Sequence, residues 1–410
     1  MGGPDPQPTV LFTAFEPSGD DHAAVVIAQL RARHPDMRIL AWGGPRMEAS
    51  GAEIIERTGT DAVMGMPGLQ KIREHRRIND RIESWAKRER VALHVPVDSP
   101  AANFPVCEIM RRAGTKTVHL VAPQLWAWAP WRIRKLRRLT DHVMCVLPFE
   151  EQWFRDRGVR ATFIGHPMFN QPLDFGALDE RISGWPSGPT RVAIMPGSRP
   201  SEINKNFPLL LEAYRRLSAE HEGMHAMVAT TDPGVEPELR RLAAQHSIEW
   251  PDSLQVTSAE TDAVVRWSTF ALVVSGTVTL QIARQRRPMV IVYKIGRLGW
   301  SLFARWVIQT PFITLPNILA GREIAPELVP HFVGADPIAE AATELLEDPS
   351  RFDRQVRDLG AIVDLFEDHD AAREGADIIE RYAGLEHISG RDGDQGDAHA
   401  RVPGPVGDRA

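Results

Sequence analysis

Residues 9–44 read TVLFTAFEPSGDDHAAVVIAQLRARHPDMRILAWGG, and this stretch decides the fold class. Thr9 to Phe15 is a short apolar, β-branched run of the kind a fully buried strand needs. Asp21 to Arg33 repeats apolar residues at helical spacing, and Met37 to Gly44 is a second apolar run. Strand, helix and strand buried on both faces make a βαβ unit, and such units build parallel sheets covered on both sides. Working outward, Met66 to Glu89 is helical in pattern, while Leu93 to Asp98, Lys116 to Val121 and His142 to Leu147 are further strands.

Phe169 to Thr190 turns to Pro, Gly, Ser and Asp without a clear period, as an interdomain linker would. Alternation then restarts, with strands at Arg191 to Met195, Met224 to Thr230, Leu254 to Thr257, Phe270 to Val274 and Met289 to Lys294, and a helix at Glu202 to His221. An α/β protein of two doubly wound domains in tandem is the economical reading. Helical patterning resumes from Pro337 to about Tyr382, and residues 387–410, rich in Gly, Asp, Arg and Pro, read as a disordered tail.

The 410 residues carry 48 Lys and Arg against 54 Asp and Glu, a net charge of −6, and 43% are hydrophobic. That balance excludes a disordered chain, a collagen-like repeat and a disulfide scaffold. Met1 to Thr9 lacks both cations and an apolar core, so it reads as neither a secretory signal nor a transit peptide. Cys107 and Cys145 lie in apolar segments and read as buried free thiols of a reducing cytosol. No apolar run approaches the roughly 18 residues a transmembrane helix needs. Charge is uneven, however: from Ala263 to Arg322 there is no acid, while Arg266, Arg284, Arg286, Arg287, Lys294, Arg297, Arg305 and Arg322 are cationic. Nucleic acid, an anionic membrane surface and a phosphorylated substrate are the three partners such a segment could serve.

Open α/β sheets bind ligands at the carboxyl ends of their strands, and three strand-to-helix junctions stand out. Glu16-Pro17-Ser18-Gly19-Asp20 follows the first strand; a helix cap explains Ser18 and Asp20 but not Glu16. Asp98 holds the same position after the strand at Leu93, so Glu16 and Asp98 could act as a general base and its partner, although either alone is more often a cap. In the second half, Gly197-Ser198-Arg199 and Ser275-Gly276-Thr277 each place small residues before a helix, where exposed N–H groups can approach a phosphate and Arg199 can clamp it. Neither a G-x-x-x-x-G-K-[ST] loop nor a G-x-G-x-x-G fingerprint is present, which argues against an ATPase and a dinucleotide oxidoreductase. His119, His142 and His166 lack partners at metal-ligand spacing and read as core or junction histidines, so no metal is expected.

Three stretches mix large apolar side chains with cations. These are Trp126, Trp128 and Trp131 before Arg132, Arg134, Lys135, Arg137 and Arg138; Met64, Met66 and Leu69 before Lys71, Arg73, Arg76 and Arg77; and Trp300, Phe303 and Trp306 around Arg305. The tryptophan block could stack bases, but the set together suggests an anionic lipid or lipid-like substrate.

These residues resemble one family. EPSGD at Glu16, GGPRMEASGAE at Gly43, AVMGMPGL at Ala62, VDSPAAN at Val97, WAW at Trp126, LPFE at Leu147, FIGHP at Phe163, PGSR at Pro196, SGTVTL at Ser275 and LPNILAGRE at Leu315 are similar to the bacterial lipid-A-disaccharide synthases, in that family's order, over about residues 9 to 385. The resemblance implies two Rossmann-like domains in the GT-B arrangement with a cleft between them: 1–168 for the acceptor, a linker at 169–190, 191–348 for the UDP-sugar, and helices at 349–386 packing back on the first domain. It implies an inverting transfer of 2,3-diacylglucosamine from UDP to the 6-hydroxyl of 2,3-diacylglucosamine 1-phosphate, without metal or cofactor, by a cytoplasmic enzyme peripheral to the inner membrane. Under it Asp98 is the base and Glu16 positions the acceptor or shares that role. Gly197, Ser198, Arg199, Ser275, Gly276, Thr277 and Gln281 hold the nucleotide and its diphosphate, with Asn317 and Arg322 closing the pocket. Ser18, Asn103, Met64, Met66, Leu69, Trp126, Trp128, Trp300, Phe303 and Trp306 face the acceptor or its acyl chains.

This sequence departs from the family where Ala101 replaces a second acid and where Gln281 stands in place of a glutamate that many GT-B enzymes set on the ribose. An anionic membrane surface and a second copy of the chain are the further expected partners, with no nucleic acid. A UDP-sugar epimerase, another lipid-linked glycosyltransferase and a non-catalytic membrane scaffold are the competing readings; retention of both Glu16 and Asp98 argues against the scaffold.

Overall fold

Pro17, Pro100 and Pro148 in the first half of the chain, and Pro200 in the second, each open a helix just past the end of a strand. A proline lacks the N–H that a first helical turn leaves unpaired, and its fixed φ suits that turn. In the computed structural model, which describes residues 8–58, 68–127, 129–231, 233–294 and 310–385 (side chains at 68–72 and 75 excepted), these helices start two to four residues earlier than apolar periodicity alone suggests at Pro17 and Pro200.

β1 (Val10–Thr13), β2 (Ile39–Gly43), β3 (Glu53–Arg57), β4 (Leu93–Pro96), β5 (Lys116–Leu120), β6 (His142–Cys145) and β7 (Ala161–Phe163) form a parallel sheet in the order β3-β2-β1-β4-β5-β6-β7. β8 (Arg191–Met195), β9 (His225–Thr230), β10 (Leu254–Ser258), β11 (Phe270–Val274), β12 (Met289–Lys294) and β13 (Glu327–His331) form a second, in the order β10-β9-β8-β11-β12-β13. In both, the order reverses beside the first strand: β1 lies between β2 and β4, and β8 between β9 and β11. At such a reversal the following helices part to opposite faces and leave a crevice at the carboxyl ends.

The chain divides into two units, one running to Asn170 and resuming at Asp368, the other spanning Gln171–Glu367. In the first, Leu11, Leu40 and Trp42 pack with Ile82 and Val106, and Trp85 meets Trp42 edge to face at 4.9 Å. In the second, Phe207, Leu210 and Tyr214 of the helix Pro200–Glu220 pack with Phe270 and Leu272. Each such side chain contributes about 1.5–3 kcal/mol by leaving water. Both cysteines are buried and free, and burial pushes the Cys107 thiol up to about 12.

Two expected boundaries differ. The segment 169–190 is part of the second unit: the helix Phe175–Ile182, capped by Asp174, packs on the helix Thr261–Trp267, with Arg266 bidentate on Asp179 at 2.7 and 2.8 Å and Trp267 Nε1 donating to the Pro186 carbonyl. Of the helices expected to return to the first unit, only Ala371–Ala383 does so. It lies on the helix Pro17–Arg33, where Gly375 admits Val26, Arg33 reaches Asp377 at 2.6 Å, and Arg33 and His34 converge on the buried Glu380 at 3.1 and 3.0 Å. Pro349–Asp364 stays with the second unit, because the Gln355 amide pairs with both backbone groups of Met289 and Asp358 holds Arg322. The tail at 387–410 lies outside the described residues. No helix among the described residues is long and apolar enough to cross a membrane.

Candidate functional site

Glu16 and Asp98 leave the carboxyl ends of β1 and β4, neighbours whose register pairs Thr13 with Pro96, so both flank the reversal point of the first sheet. Glu16 is exposed, caps no helix with its side chain, and instead accepts a 2.6 Å hydrogen bond from the Ser99 hydroxyl. Asp98 and Ser99 have φ of 46° and 37°, two successive left-handed residues without a glycine. That conformation is costly and persists only where the surroundings impose it. Here the Asp98 N–H donates to the Leu120 carbonyl at 2.9 Å, and the Asp98 carbonyl accepts from Asn103 Nδ2 at 2.9 Å and His119 Nε2 at 3.2 Å. Burial holds the Asp98 carboxyl above its usual range against the opposing pull of the Ser99 N–H, and the charge of Glu16 adds to the rise. A carboxyl kept from ionising too early, beside a second carboxylate, suits proton abstraction from a hydroxyl.

Several side chains expected to face a ligand are spent within the fold. Asn103 is fully buried, donating to the Val97 and Asp98 carbonyls and accepting from Thr13, so it holds the Asp98 turn. Trp126 is only 2% exposed, and its Nε1 donates to Glu150 at 2.9 Å, which removes it from the lipid-facing set. Asp20 accepts the N–H groups of Gly44, Arg46 and Met47, capping the helix Pro45–Ala49 and not its own. Ser18 is exposed on the first turn after Glu16. Met64, Met66, Trp128, Trp300, Phe303 and Trp306 lie outside the described residues, as does the side chain of Leu69.

Glu150, within the LPFE segment, was not assigned from sequence. It is 1% exposed and accepts from Trp126, Val146 and Leu147; burial pushes its carboxyl up to about 8 despite those donors, and Asp98 adds to the rise. An acid three residues into a helix reads as an N-terminal cap, and only the Trp126 contact from 24 residues away distinguishes it.

In the second unit Gly197-Ser198-Arg199 and Ser275-Gly276-Thr277 leave β8 and β11, which pair from Phe270↔Val192 to Val273↔Met195 and flank the other reversal point. Gly197 is required by the chain itself: its φ is +107°, and a Cβ would sit 2.8 Å from Glu202. Gly276 is not, since a Cβ there would meet nothing within 4 Å. Ser198, Arg199, Gly276 and Thr277 are exposed, and the Arg199 guanidinium bonds Glu202 at 2.9 Å. Gln281 donates to Asp262 at 3.3 Å. Asn317 is a correction, because all its polar capacity is internal: Nδ2 to the Ala325 carbonyl and Glu327, Oδ1 from the N–H groups of Ile324 and Ala325. Arg322 is held bidentate by Asp358.

A cleft of about 250 Å³ lies beside this crevice, at the ends of β8 and β9, lined by Ser198, Ile203, Asn204, Thr230, Thr231 and Val235. It is off the reversal point. His119, His142 and His166 are buried, as expected of core histidines. Among the described residues no group of three or more His, Cys, Asp or Glu is arranged to hold a metal.

The family model for lipid-A-disaccharide synthetase matches residues 10–374. A lipid-A-disaccharide synthase of Burkholderia mallei (strain SAVP1) is 36% identical over 373 residues, covering 89% of this chain and 92% of that protein. One of Myxococcus xanthus (strain DK1622) is 34% identical over 337 residues, covering 81% and 86%. Among solved structures, the S. aureus MnaA-UDP co-structure has a TM-score of 0.60 at 12% identity, covering 95% of this chain and all of that one, a likeness of fold.

Proposed function

The chain belongs to the lipid-A-disaccharide synthetase family and is a glycosyltransferase of lipid A disaccharide synthesis; we propose that Asp98 is the base of that transfer. The reaction moves 2,3-diacylglucosamine from its UDP donor to the 6-hydroxyl of 2,3-diacylglucosamine 1-phosphate, forming a β-1,6 link and releasing UDP. The observation that carries the assignment is the placement of Asp98 and Glu16 at the reversal point of one sheet, linked through Ser99, whose hydroxyl donates to Glu16 and whose N–H donates to the Asp98 carboxyl. Asp98 takes the acceptor proton as the hydroxyl oxygen attacks the anomeric carbon, while Glu16 and Ser99 orient that hydroxyl.

The leaving diphosphate is assigned to the second reversal point, between the Gly197 and Ser275 loops. Gly276 supports this, because a glycine the chain's own packing does not need leaves room for close approach by a ligand. Arg199 supports it too, since an exposed pair with Glu202 is worth little and the guanidinium can turn to phosphate at small cost. The reading uses protein groups alone, without metal or cofactor. Because both substrates carry acyl chains, the enzyme is assigned to the cytoplasmic face of the inner membrane as a peripheral protein. Supporting that placement, the helix Pro100–Arg112 packs against two neighbours with exposed cations: Arg73, Arg76 and Arg77 on one, and Arg134, Arg137 and Arg138 beside the 64%-exposed Trp131 on the other. The test is Asp98→Asn, which keeps shape and removes the base: turnover should fall at least about 1,000-fold with UDP affinity unchanged, and near-normal turnover would end the assignment.

A further inference from the structure

The Asp98 carbonyl can only accept, so His119 Nε2 at 3.2 Å and Asn103 Nδ2 at 2.9 Å both donate to it. Asn103 gives its other amide hydrogen to the Val97 carbonyl at 2.8 Å, which leaves its Oδ1 to accept the Thr13 hydroxyl proton at 2.8 Å. That hydroxyl has no second proton, so at 2.9 Å it accepts from His94 Nε2. Bond by bond, the direction of the whole chain is fixed from His94 through Thr13 and Asn103 to Asp98, and both histidines are the Nε2–H tautomer. Each Nδ1 is then a buried acceptor with no hydrogen-bond partner among the described residues. Both rings are 0% exposed, and burial lowers them to about 3 for His94 and about 4 for His119, so they stay neutral while the enzyme works. Two apolar residues would fill this space without leaving buried acceptors unpaired. The polar set therefore serves something other than core packing.

We propose that His119, Asn103, Thr13 and His94 are positioning residues, a relay of one fixed hydrogen-bond direction that holds the left-handed Asp98 turn and aims its carboxylate at the acceptor hydroxyl. The proposal rests on the reading of Asp98 as base. All four are fully buried, and they act through the Asp98 main chain. A base displaced by about 1 Å can lose about 100-fold in rate without any change in binding.

The experiment compares His119→Leu, which removes the donor, with His119→Gln, which returns an N–H at the same reach, in the full-length protein. Steady-state assays use UDP-diacylglucosamine and diacylglucosamine 1-phosphate, with folding checked by thermal melts. His119→Leu should lower kcat by about 10- to 100-fold with both KM values within about twofold of the parent. His119→Gln should return to within about fivefold. A folded His119→Leu enzyme with parental kcat overturns the proposal, as does a Gln variant no better than Leu or a loss that appears in KM alone. Should His119→Leu fail to fold, Thr13→Val decides: it keeps the shape and cuts the relay, and a kcat lowered by about threefold to tenfold supports the proposal while an unchanged kcat overturns it. Asp98→Asn run alongside separates the two readings. If Asp98→Asn is inactive and His119→Leu is fully active, the relay alone fails; if Asp98→Asn turns over normally, the base assignment fails whatever His119 does.

Discussion

Asn317→Ala should damage the second unit, not the binding of its ligand. The side chain is fully buried and makes four hydrogen bonds, two given by Nδ2 to the Ala325 carbonyl and Glu327 Oε2, and two accepted by Oδ1 from Ile324 and Ala325. Alanine leaves both of those N–H groups buried and unpaired, at about 1–3 kcal/mol each. The acceptor side loses less, because Glu327 keeps Ile313 N–H, Thr314 N–H and the Thr314 hydroxyl. Allowing for a water that reaches part of the gap, the net loss should be about 3–4 kcal/mol. Asn317→Asp should also destabilise, since it sets a second carboxylate oxygen against Glu327 and the Ala325 carbonyl. Urea unfolding followed by circular dichroism measures the loss, and calorimetry at a temperature where the variant stays folded measures UDP affinity. A loss below about 1 kcal/mol together with weakened UDP binding would refute the reasoning and return Asn317 to the nucleotide site.

Two glycines should separate by their surroundings: Gly197→Ala, with φ of +107° and Glu202 at 2.8 Å, should lower stability by about 1–3 kcal/mol, whereas Gly276→Ala should leave the melt unchanged and weaken UDP binding. Equal UDP affinity in Gly276→Ala would remove that loop from the site. Burial lowers His22, His94, His119, His142 and His166 to about 3 or 4, so the unfolded chain takes up protons near 6.5 that the folded one refuses. Stability should thus fall as pH drops from 6.5 toward 4, by about 1.4 kcal/mol per pH unit for each ring, while Glu150, raised to about 8 from 4.5, works the opposite way over 4.5 to 8. Urea midpoints that stay flat from pH 6.5 to 5 would contradict the excess of these five histidines over Glu150. In flotation across a salt series, the protein should rise with anionic liposomes at low salt and lose them as salt increases, each cation near the surface giving about 1 kcal/mol; equal flotation with neutral liposomes would refute the electrostatic part.

What the sequence carried of the fold was the part written locally. The buried strands β1, β4, β8 and β11 are mostly apolar (VLFT, LHVP, RVAIM and FALVV), and Glu16, Asp98, Gly197 and Ser275 are readable as residues just past their ends. Three of the four edge strands are not legible in the sequence, β10 being the exception: β3 is EIIER, charged at both ends, β7 is three residues long, and β13 contains Pro330. The failures at the site share one cause. Asn103 and Trp126 look like ligand contacts because their types and motifs allow it, yet their partners, Thr13 and Glu150, stand 90 and 24 residues away. Only the folded chain shows that their bonding capacity is already taken. The left-handed turn at Asp98 had no glycine to announce it, so its strain was invisible until the dihedrals were known.

The helix Ala371–Ala383 belongs to the first unit but is made after everything in the second. A ribosome therefore releases the whole first sheet long before the segment that covers Val26 and supplies Glu380 to Arg33 and His34. For that interval the outer face of the helix Pro17–Arg33, directly behind Glu16, waits uncovered while nearly two hundred further residues emerge and build the other sheet. The loop at Glu16 thus leads into a helix that gains this support only after the second sheet has been made, so the order of synthesis runs opposite to the order in which this part of the first unit is completed.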